Sequence, residues 1–111
     1  GYTTLICNRP DGEQPDQPDH EAMAQAAAAA GMRFVFQPVI SGRITPEQAR
    51  AFGDALAQAD GPVLAYCRSG TRCATLWAMS RGAERPWAEV IETAAAAGFD
   101  LRGLPQPTGR N

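Results

Sequence analysis

Apolar residues in this chain occur in short runs that alternate with longer segments of helical spacing. Three runs rich in β-branched and aromatic residues predict strands at residues 3–7, 33–40 and 63–66. The segments that follow predict helices from Asp16 or Asp19 to about residue 30, over 45–59, from the loop after 66 to about 82, and over 85–98. Strand and helix alternate three times, so we expect an α/β fold with a mainly parallel central sheet and helices on both faces.

Local signals complete this layout. Residues 45–48 (TPEQ) combine an N-cap threonine, a proline at the first helical position and a glutamine that completes a capping box. Gly31 supplies a left-handed stop after the first helix. The unbroken apolar character of residues 63–66 favours the centre of the sheet. Residues 99–111 are rich in Gly and Pro, and we expect them to form a surface tail.

Residues 62–79 indicate a buried strand, a tight loop containing Gly70, and a helix. Such a loop directs several backbone N–H groups to one point at the positive end of the helix dipole, which makes an anion site. Cys67 opens the loop. The N–H groups, the dipole and the guanidinium groups of Arg68 and Arg72 all favour the thiolate, so Cys67 is the candidate nucleophile.

Ligands of parallel α/β sheets bind beyond the carboxyl ends of the strands. The Cys67 loop lies at that edge of the predicted sheet, and so do residues 7–13 and 37–43. Three loops are therefore expected to converge on one site.

Composition and charge exclude several classes of function. A chain of 111 residues fits one domain with a real core. Its net charge of -2 gives no support for binding nucleic acid or an anionic membrane. Three irregularly spaced cysteines and the single His20 fit neither a disulfide framework nor a zinc site, so we expect no metal, no cofactor and a cytoplasmic location. No apolar run is long enough to cross a bilayer.

Residues 67–72 (CRSGTR) match the C-R-x-G-x-R active-site loop of rhodanese-type sulfurtransferases. Together with residues 5–13 (LICNRPDGE), 44–47 (ITPE) and 75–78 (TLWA), they make the chain resemble the bacterial family called beta-lactamase-hydrolase-like protein, phosphatase-like domain. The resemblance covers nearly the whole chain, and its separated motifs occur in the same order. It implies a fold similar to the dual-specificity cysteine phosphatases.

The resemblance also has implications for the whole protein. Members of that family carry a strand and a helix before the stretch where this chain begins, and this chain begins in a β-rich run with no initiator methionine. We therefore expect residues 1–111 to be a single domain that lacks an N-terminal strand–helix segment. Some members are fused to a metallo-hydrolase-type persulfide dioxygenase, which implies such a domain as a fused or separate partner.

Two departures from the phosphatase pattern favour sulfur chemistry. The phosphatase loop C-x5-R would place its arginine at position 73, but the sequence has Cys73 there and Arg72 one place earlier. The shorter loop offers fewer N–H groups and suits a single sulfur better than a phosphoryl group. The phosphatases also carry an acidic Asp after the strand equivalent to 34–40, where residues 41–43 (SGR) contain no carboxylate.

The leading hypothesis is therefore a sulfurtransferase that passes sulfane sulfur from thiosulfate or a small persulfide through a Cys67 persulfide. Arg72 binds the anionic end of the donor, and Arg68 or Arg43 steers it into the site. The alternative is a cysteine-dependent phosphatase that works through a phosphocysteine on the same residue. A third hypothesis is a non-catalytic module that binds an anion or senses oxidants. The loop positions that would bind the anion are Arg68, Ser69, Gly70 and Thr71.

Residues outside the loop have several possible roles. In a phosphatase, Asp11 or Glu13 would substitute for the missing acid, whereas Arg9 and Asp11 otherwise support the site loop. Cys7 ends the strand expected beside Cys67, so it is either a packed core residue or a redox partner that forms a disulfide with Cys67. The residues interpreted as core or solvated are Cys73, Trp77, Trp87 and His20.

Overall fold

The computed structural model describes residues 1–82 and 84–107, in which three strands alternate with four helices. The elements are β1 (Thr4–Cys7), α1 (His20–Ala29), β2 (Arg33–Phe36), α2 (Pro46–Gln58), β3 (Val63–Tyr66), α3 (Thr71–Gly82) and α4 (Trp87–Ala96). Each predicted strand and helix is present. The three strands are parallel, which confirms the predicted α/β fold.

The centre of the sheet is β1. The strand order is β2-β1-β3, and β1 pairs with both neighbours. The prediction that residues 63–66 form the central strand is therefore wrong for the described sheet, in which β3 is an edge strand and Leu64 is 41% exposed. A continuous apolar run indicates that both faces of a strand are covered by other elements. It does not indicate whether the strand pairs with one neighbouring strand or with two.

The strand β2 ends at Phe36, before the predicted end at residue 40. Gln37 and Val39 still donate their N–H groups to carbonyls at the end of β1, at 2.9 and 3.0 Å. These two donors are two residues apart, but their acceptors are the adjacent carbonyls of Cys7 and Asn8, so the regular register of the ladder stops here although the chain continues beside β1.

Helices cover both faces of the sheet. Ile6 on β1 faces α2 and α3, where it packs in a buried cluster with Phe52. Val35 pairs with Ile6, so the next residue of β2, Phe36, points to the opposite face. There the ring of His20, the first residue of α1, stacks on Phe36 with its centroid 4.2 Å away. This arrangement confirms the predicted layering.

A second core lies between α3, α4 and the segment after α4. The buried members of this cluster are Ala78, Val90, Ala94 and Leu101. Leu101 is 7% exposed, and Phe99 and Leu104 pack against the cluster. The prediction that the tail from residue 99 lies on the surface is therefore wrong for its first residues, because their apolar side chains stand among the Gly and Pro residues that suggested a tail. Residues 108–111 lie outside the described residues.

Asp11 joins the loop between β1 and α1 to the first turn of α1. Its Oδ1 accepts the backbone N–H of His20 at 2.8 Å, and its Oδ2 lies 2.6 Å from His20 Nδ1. Asp19, one of the two predicted caps, is the N-cap and accepts the N–H of Ala22 at 2.9 Å. The hydrogen bond to His20 lowers the pKa of Asp11, and the same bond raises the pKa of His20. An ion pair thus fixes the loop to α1.

Within residues 1–82 and 84–107, no helix has the length and hydropathy needed to cross a membrane. The same residues contain no group of three or more His, Cys, Asp or Glu side chains that could hold a metal ion.

Thr45 begins α2 with the predicted capping box, in which its hydroxyl accepts the N–H of Gln48 at 3.2 Å and the Gln48 side chain accepts the N–H of Thr45 at 2.9 Å. In Thr45→Ala one helix-end donor loses its partner, and we expect the free energy of unfolding to fall by about 1 kcal/mol in urea titrations. Thr45→Ser keeps the hydroxyl and is the control. An Ala variant as stable as the parent protein would contradict this capping role.

The Asp11–His20 pair predicts a pH-dependent contribution to stability. Because the His20 pKa is raised, its contribution is fully present below the ordinary value of 6.5 and is lost as pH rises through the folded-state pKa. Because the Asp11 pKa is lowered, its contribution is present above 3.8 and is lost as pH falls through the folded-state pKa. His20→Phe keeps an aromatic ring on Phe36 but removes the ion pair.

The urea midpoint of the His20→Phe variant should therefore lie further below that of the parent protein at about pH 5.5 than at about pH 9. Equal differences at the two pH values would show that the ion pair contributes nothing to stability.

Candidate active site

Gly70 shapes the loop between β3 and α3. Its φ of +90° lies in the left-handed region that favours glycine. A Cβ at this position would also lie 2.9 Å from the ring of Phe99, so a side chain is disfavoured by both backbone strain and contact. In this conformation the N–H of Gly70 donates to Sγ of Cys67 at 3.2 Å. The loop thus turns a backbone donor towards the sulfur.

Cys67 directly follows β3, and its surroundings favour the thiolate. The residue is 9% exposed, and this burial by itself would raise the pKa of the thiol. Hydrogen bonds from Cys73 through its N–H and its thiol, and from the N–H groups of Gly70 and Arg72, outweigh burial and lower the pKa below the ordinary value of 9.0. Since the thiolate is the reactive form of cysteine, Cys67 is placed to act as a nucleophile.

Arg72 lies in the first turn of α3 and is buried, with 9% of its side chain exposed. Its Nη1 donates to Glu13 Oε2 at 2.7 Å, and its Nη2 donates to Glu13 Oε1 at 2.8 Å. Nη1 also donates to the carbonyl of Val39 at 3.0 Å. The bond to Glu13 raises the pKa of Arg72, so the guanidinium stays charged.

Glu13 and Val39 bind only some of the N–H donors of the Arg72 guanidinium, and the others are available to bind a ligand. A guanidinium has five N–H donors, and Glu13 and Val39 accept three of them. The Nε–H and one Nη2 N–H, on adjacent nitrogens along one edge, are not used by Glu13 or Val39. The guanidinium also interacts with the thiol group of Cys67. This edge of Arg72 is therefore suited to bind an anion that approaches the sulfur.

Glu13 and Arg9 come from the loop after β1 and continue the charge network. Arg9 Nε donates to Glu13 Oε1 at 3.1 Å. Hydrogen bonds from Arg72 and then Arg9 hold the pKa of Glu13 below its ordinary value. The pKa of Asp11 is lowered in the same way by His20. The two carboxyl groups named as possible acids are therefore both expected to be ionised at neutral pH.

The other predicted loop residues turn their side chains outward. Ser69 and Thr71 are exposed, and Ser69 Oγ donates to Thr71 Oγ1 at 3.2 Å. Arg68 is also exposed. Arg43 lies in the turn between β2 and α2, where its N–H donates to the carbonyl of Ile40 at 2.9 Å, and its side chain is exposed. The hydrogen bond from this loop to Cys67 Sγ comes from the backbone N–H of Gly70.

The two remaining cysteines have different neighbours. Cys7 is 2% exposed, its thiol donates to the carbonyl of Arg9 at 3.3 Å, and it is in register with Tyr66. Cys73, which the sequence assigns to the core, is indeed buried, but its N–H and thiol both interact with Cys67. Burial and the neighbouring Cys67 raise the pKa of Cys73, which therefore remains a neutral thiol.

Sequence reasoning missed Asn8, which follows β1 and is completely buried. Its N–H donates to the carbonyl of Tyr66 at 2.8 Å, its carbonyl accepts the N–H of Val39 at 3.0 Å, and its Nδ2 donates to the carbonyl of Gln37 at 2.9 Å. Asn8, directly after β1, thus joins the last residue of β3 to the segment that follows β2. A polar residue directly after a buried apolar strand was the available signal.

Comparisons with known proteins agree with this architecture. A protein of known structure from Neisseria meningitidis, described as a candidate phosphatase, is 44% identical and superimposes with a TM-score of 0.83, over 93% of this chain and 74% of that one. A candidate phosphatase from Shewanella putrefaciens is 23% identical with a TM-score of 0.65, over 94% of this chain and 64% of that one. The second likeness shows the fold alone.

Relatives from Xylella fastidiosa and Agrobacterium fabrum, each called beta-lactamase hydrolase-like protein, are 43% and 39% identical over 103 residues. The match covers 91% of this chain and 24% of each relative, so the chain spans about a quarter of their length. The sequence model of the family described as beta-lactamase hydrolase-like protein, phosphatase-like domain, matches residues 1–84. The resemblance inferred from the motifs is confirmed, and the chain belongs to this phosphatase-like domain family.

Proposed function

We propose that this domain is a sulfurtransferase in which the Cys67 thiolate receives sulfane sulfur from a small anionic donor and passes it to an acceptor thiol. The support comes from the pairing of a buried cysteine of lowered pKa with a charged, buried arginine, Arg72. This pairing serves a reaction in which a thiolate attacks an anion, because Arg72 offsets the repulsion between the two negative charges.

The observation that favours sulfur transfer over phosphate hydrolysis is the state of the nearby carboxyl groups. Departure of an alkoxide or phenolate from phosphorus is accelerated about 10²–10⁴-fold by a positioned acid. Asp11 and Glu13 are both held ionised, Asp11 by His20 and Glu13 by Arg72. Sulfite and thiolates leave as stable anions and need no proton, so the geometry fits their departure.

The reaction proceeds in two displacement steps. The Cys67 thiolate attacks the outer sulfur of thiosulfate, the S–S bond of the donor breaks, and sulfite leaves with the bonding electron pair. The free edge of Arg72 binds the sulfonate oxygens, and the loop N–H groups stabilise the new Cys67 persulfide. An acceptor thiolate then attacks the outer sulfur of this persulfide, forms its own persulfide and releases the Cys67 thiolate.

A second candidate function is phosphate monoester hydrolysis through a phosphocysteine on Cys67. Two findings favour it: the phosphatase-like description of the family and the 44% identity to the candidate phosphatase from Neisseria. With its carboxyl groups ionised, this site hydrolyses esters of acidic phenols far better than alkyl esters, because a phenolate of low pKa leaves without a proton.

A paired assay on Cys67→Ser and the parent protein distinguishes these functions. We expect transfer of sulfur from thiosulfate or glutathione persulfide to cyanide or a thiol, lost by at least about 10²-fold in the variant because a hydroxyl of much higher pKa replaces the thiolate. Release of phosphate from an aryl phosphate is measured in parallel. Cys7→Ser, which keeps a donor for the carbonyl of Arg9, is the matched control.

Full sulfur transfer by Cys67→Ser would overturn the assignment of the nucleophile. Rapid phosphate release that depends on Cys67, without sulfur transfer, would replace the first function by the second.

Glu13 is predicted to act as a positioning residue for Arg72. Glu13→Gln keeps the shape of the side chain but removes its charge and one of its two acceptor oxygens, so Arg72 is no longer held in one orientation. We expect kcat/KM for the anionic donor to fall about tenfold, equivalent to about 1.4 kcal/mol. Glu47→Gln, on the exposed first turn of α2, is the control. Unchanged kinetics in Glu13→Gln would show that Arg72 is positioned without Glu13.

A further inference from the structure

Asn8 is a completely buried polar residue to which neither proposed reaction gives a role. It follows β1, and its Nδ2 donates to the carbonyl of Gln37 at 2.9 Å. Its Oδ1 is buried and has no hydrogen-bond partner among the described residues. A buried oxygen without a partner destabilises the folded state, so stability alone does not explain an amide at this position.

The hydrogen bonds of Asn8 hold the segment after β2 on both sides of Pro38. The side chain binds the carbonyl of Gln37, and the backbone carbonyl of Asn8 accepts the N–H of Val39 at 3.0 Å. Pro38 has a fixed φ and also restricts the backbone of the residue before it. The segment 37–39 is therefore fixed against the end of β1, and the side chain of Asn8 supplies one of the contacts that fix it.

This segment carries the backbone acceptor of Arg72. The carbonyl of Val39 accepts Nη1 of Arg72 at 3.0 Å, and Val39 is 2% exposed. The other acceptor is the carboxylate of Glu13, whose side chain is 29% exposed and has rotatable bonds that let it follow the guanidinium. Of the two acceptors, the Val39 carbonyl is the one whose position the backbone fixes, so it sets the orientation of the guanidinium.

We propose that Asn8 is a positioning residue for Arg72. Its Nδ2 holds the Gln37 carbonyl, this contact fixes the Val39 carbonyl, and the Val39 carbonyl orients the guanidinium for an incoming anion. This role rests on the anion-binding function proposed for Arg72, and it applies equally to a sulfur donor and to a phosphate ester.

Asn8→Leu separates positioning from stability. Leucine has the same number of side-chain heavy atoms and the same branch point as asparagine, but it has no N–H donor and no unpaired oxygen. Asn8 borders a pocket of about 200 Å³ that is also lined by Val39 and Leu76, and these apolar neighbours suit a leucine. Apolar burial and removal of the unpaired oxygen offset the lost bond to Gln37, so we expect a urea midpoint at or above that of the parent protein.

Sulfate is the probe for anion binding, because it is unreactive and its binding does not depend on which group the protein transfers. A sulfate bound beside Cys67 slows alkylation of the thiol by iodoacetamide, and the concentration that halves the rate gives the affinity. We expect this concentration to be about tenfold higher in Asn8→Leu, because Arg72 no longer presents its N–H groups in one direction. Thr4→Val, which replaces a buried polar residue of β1 by an apolar isostere, is the matched control and should bind sulfate as the parent protein does.

A second readout identifies Arg72 as the residue through which Asn8 acts. In Arg72→Lys, the ammonium group binds an anion as a point charge and has no planar edge to orient. Adding Asn8→Leu to Arg72→Lys should therefore leave the sulfate affinity unchanged. A further loss of affinity in this double variant would overturn the proposal, because Asn8 would then act by another route.

Other outcomes would also overturn the proposal. Equal sulfate protection in Asn8→Leu and the parent protein would show that Asn8 does not position Arg72. A lower urea midpoint of Asn8→Leu, or its failure to fold, would make Asn8 a structural residue. Absence of sulfate protection in the parent protein would remove the anion-binding role of Arg72, whereas a parent protein that binds sulfate but transfers no sulfur would contradict the proposed sulfurtransferase function alone.

Discussion

The position of the candidate site depends on the hydrogen bonds of the Arg72 guanidinium. Arg72 lies in α3, which follows β3. Its side chain donates to Glu13 in the loop after β1 and to the carbonyl of Val39 in the segment after β2. One buried cation therefore connects the ends of all three parallel strands. A buried charge without partners would cost several kcal/mol, so Arg72 and the loops that meet it stabilise each other's positions.

The charges in this region alternate in sign. The sequence of contacts runs from Arg9 to Glu13, then to Arg72 and to Cys67. Two cations and two anions give a neutral group, so the thiolate is tolerated in a buried place without an uncompensated charge. In the proposed sulfur transfer, sulfite leaves with its own two charges and the Cys67 persulfide anion keeps the charge of the thiolate, so the same pairing with Arg72 stabilises both states of Cys67.

Patterns of neighbouring residues predicted the strands, helices and turns of this protein. The order of the strands and the contacts of the site depend on residues that are far apart in the sequence. The capping box at Thr45 and the tight loop at Gly70 depend on residues a few positions apart, so both were visible in the sequence. The edge position of β3 and the burial of Leu101 depend on neighbours far along the chain. Cys67 and Arg72 were identified from their motif, but the bidentate bond from Arg72 to Glu13 joins residues 59 positions apart, and no local pattern indicates it.

The packing of Phe99 beneath Gly70 affects how the domain can be divided. The family model matches residues 1–84, whereas the ring that lies against the turn of the Cys67 loop belongs to residue 99. A fragment designed from the shared motifs alone would contain Cys67, Arg72 and Glu13 yet lose one wall beside Gly70. The part of the chain that encloses the Cys67 loop is therefore longer than the part that matches the family model.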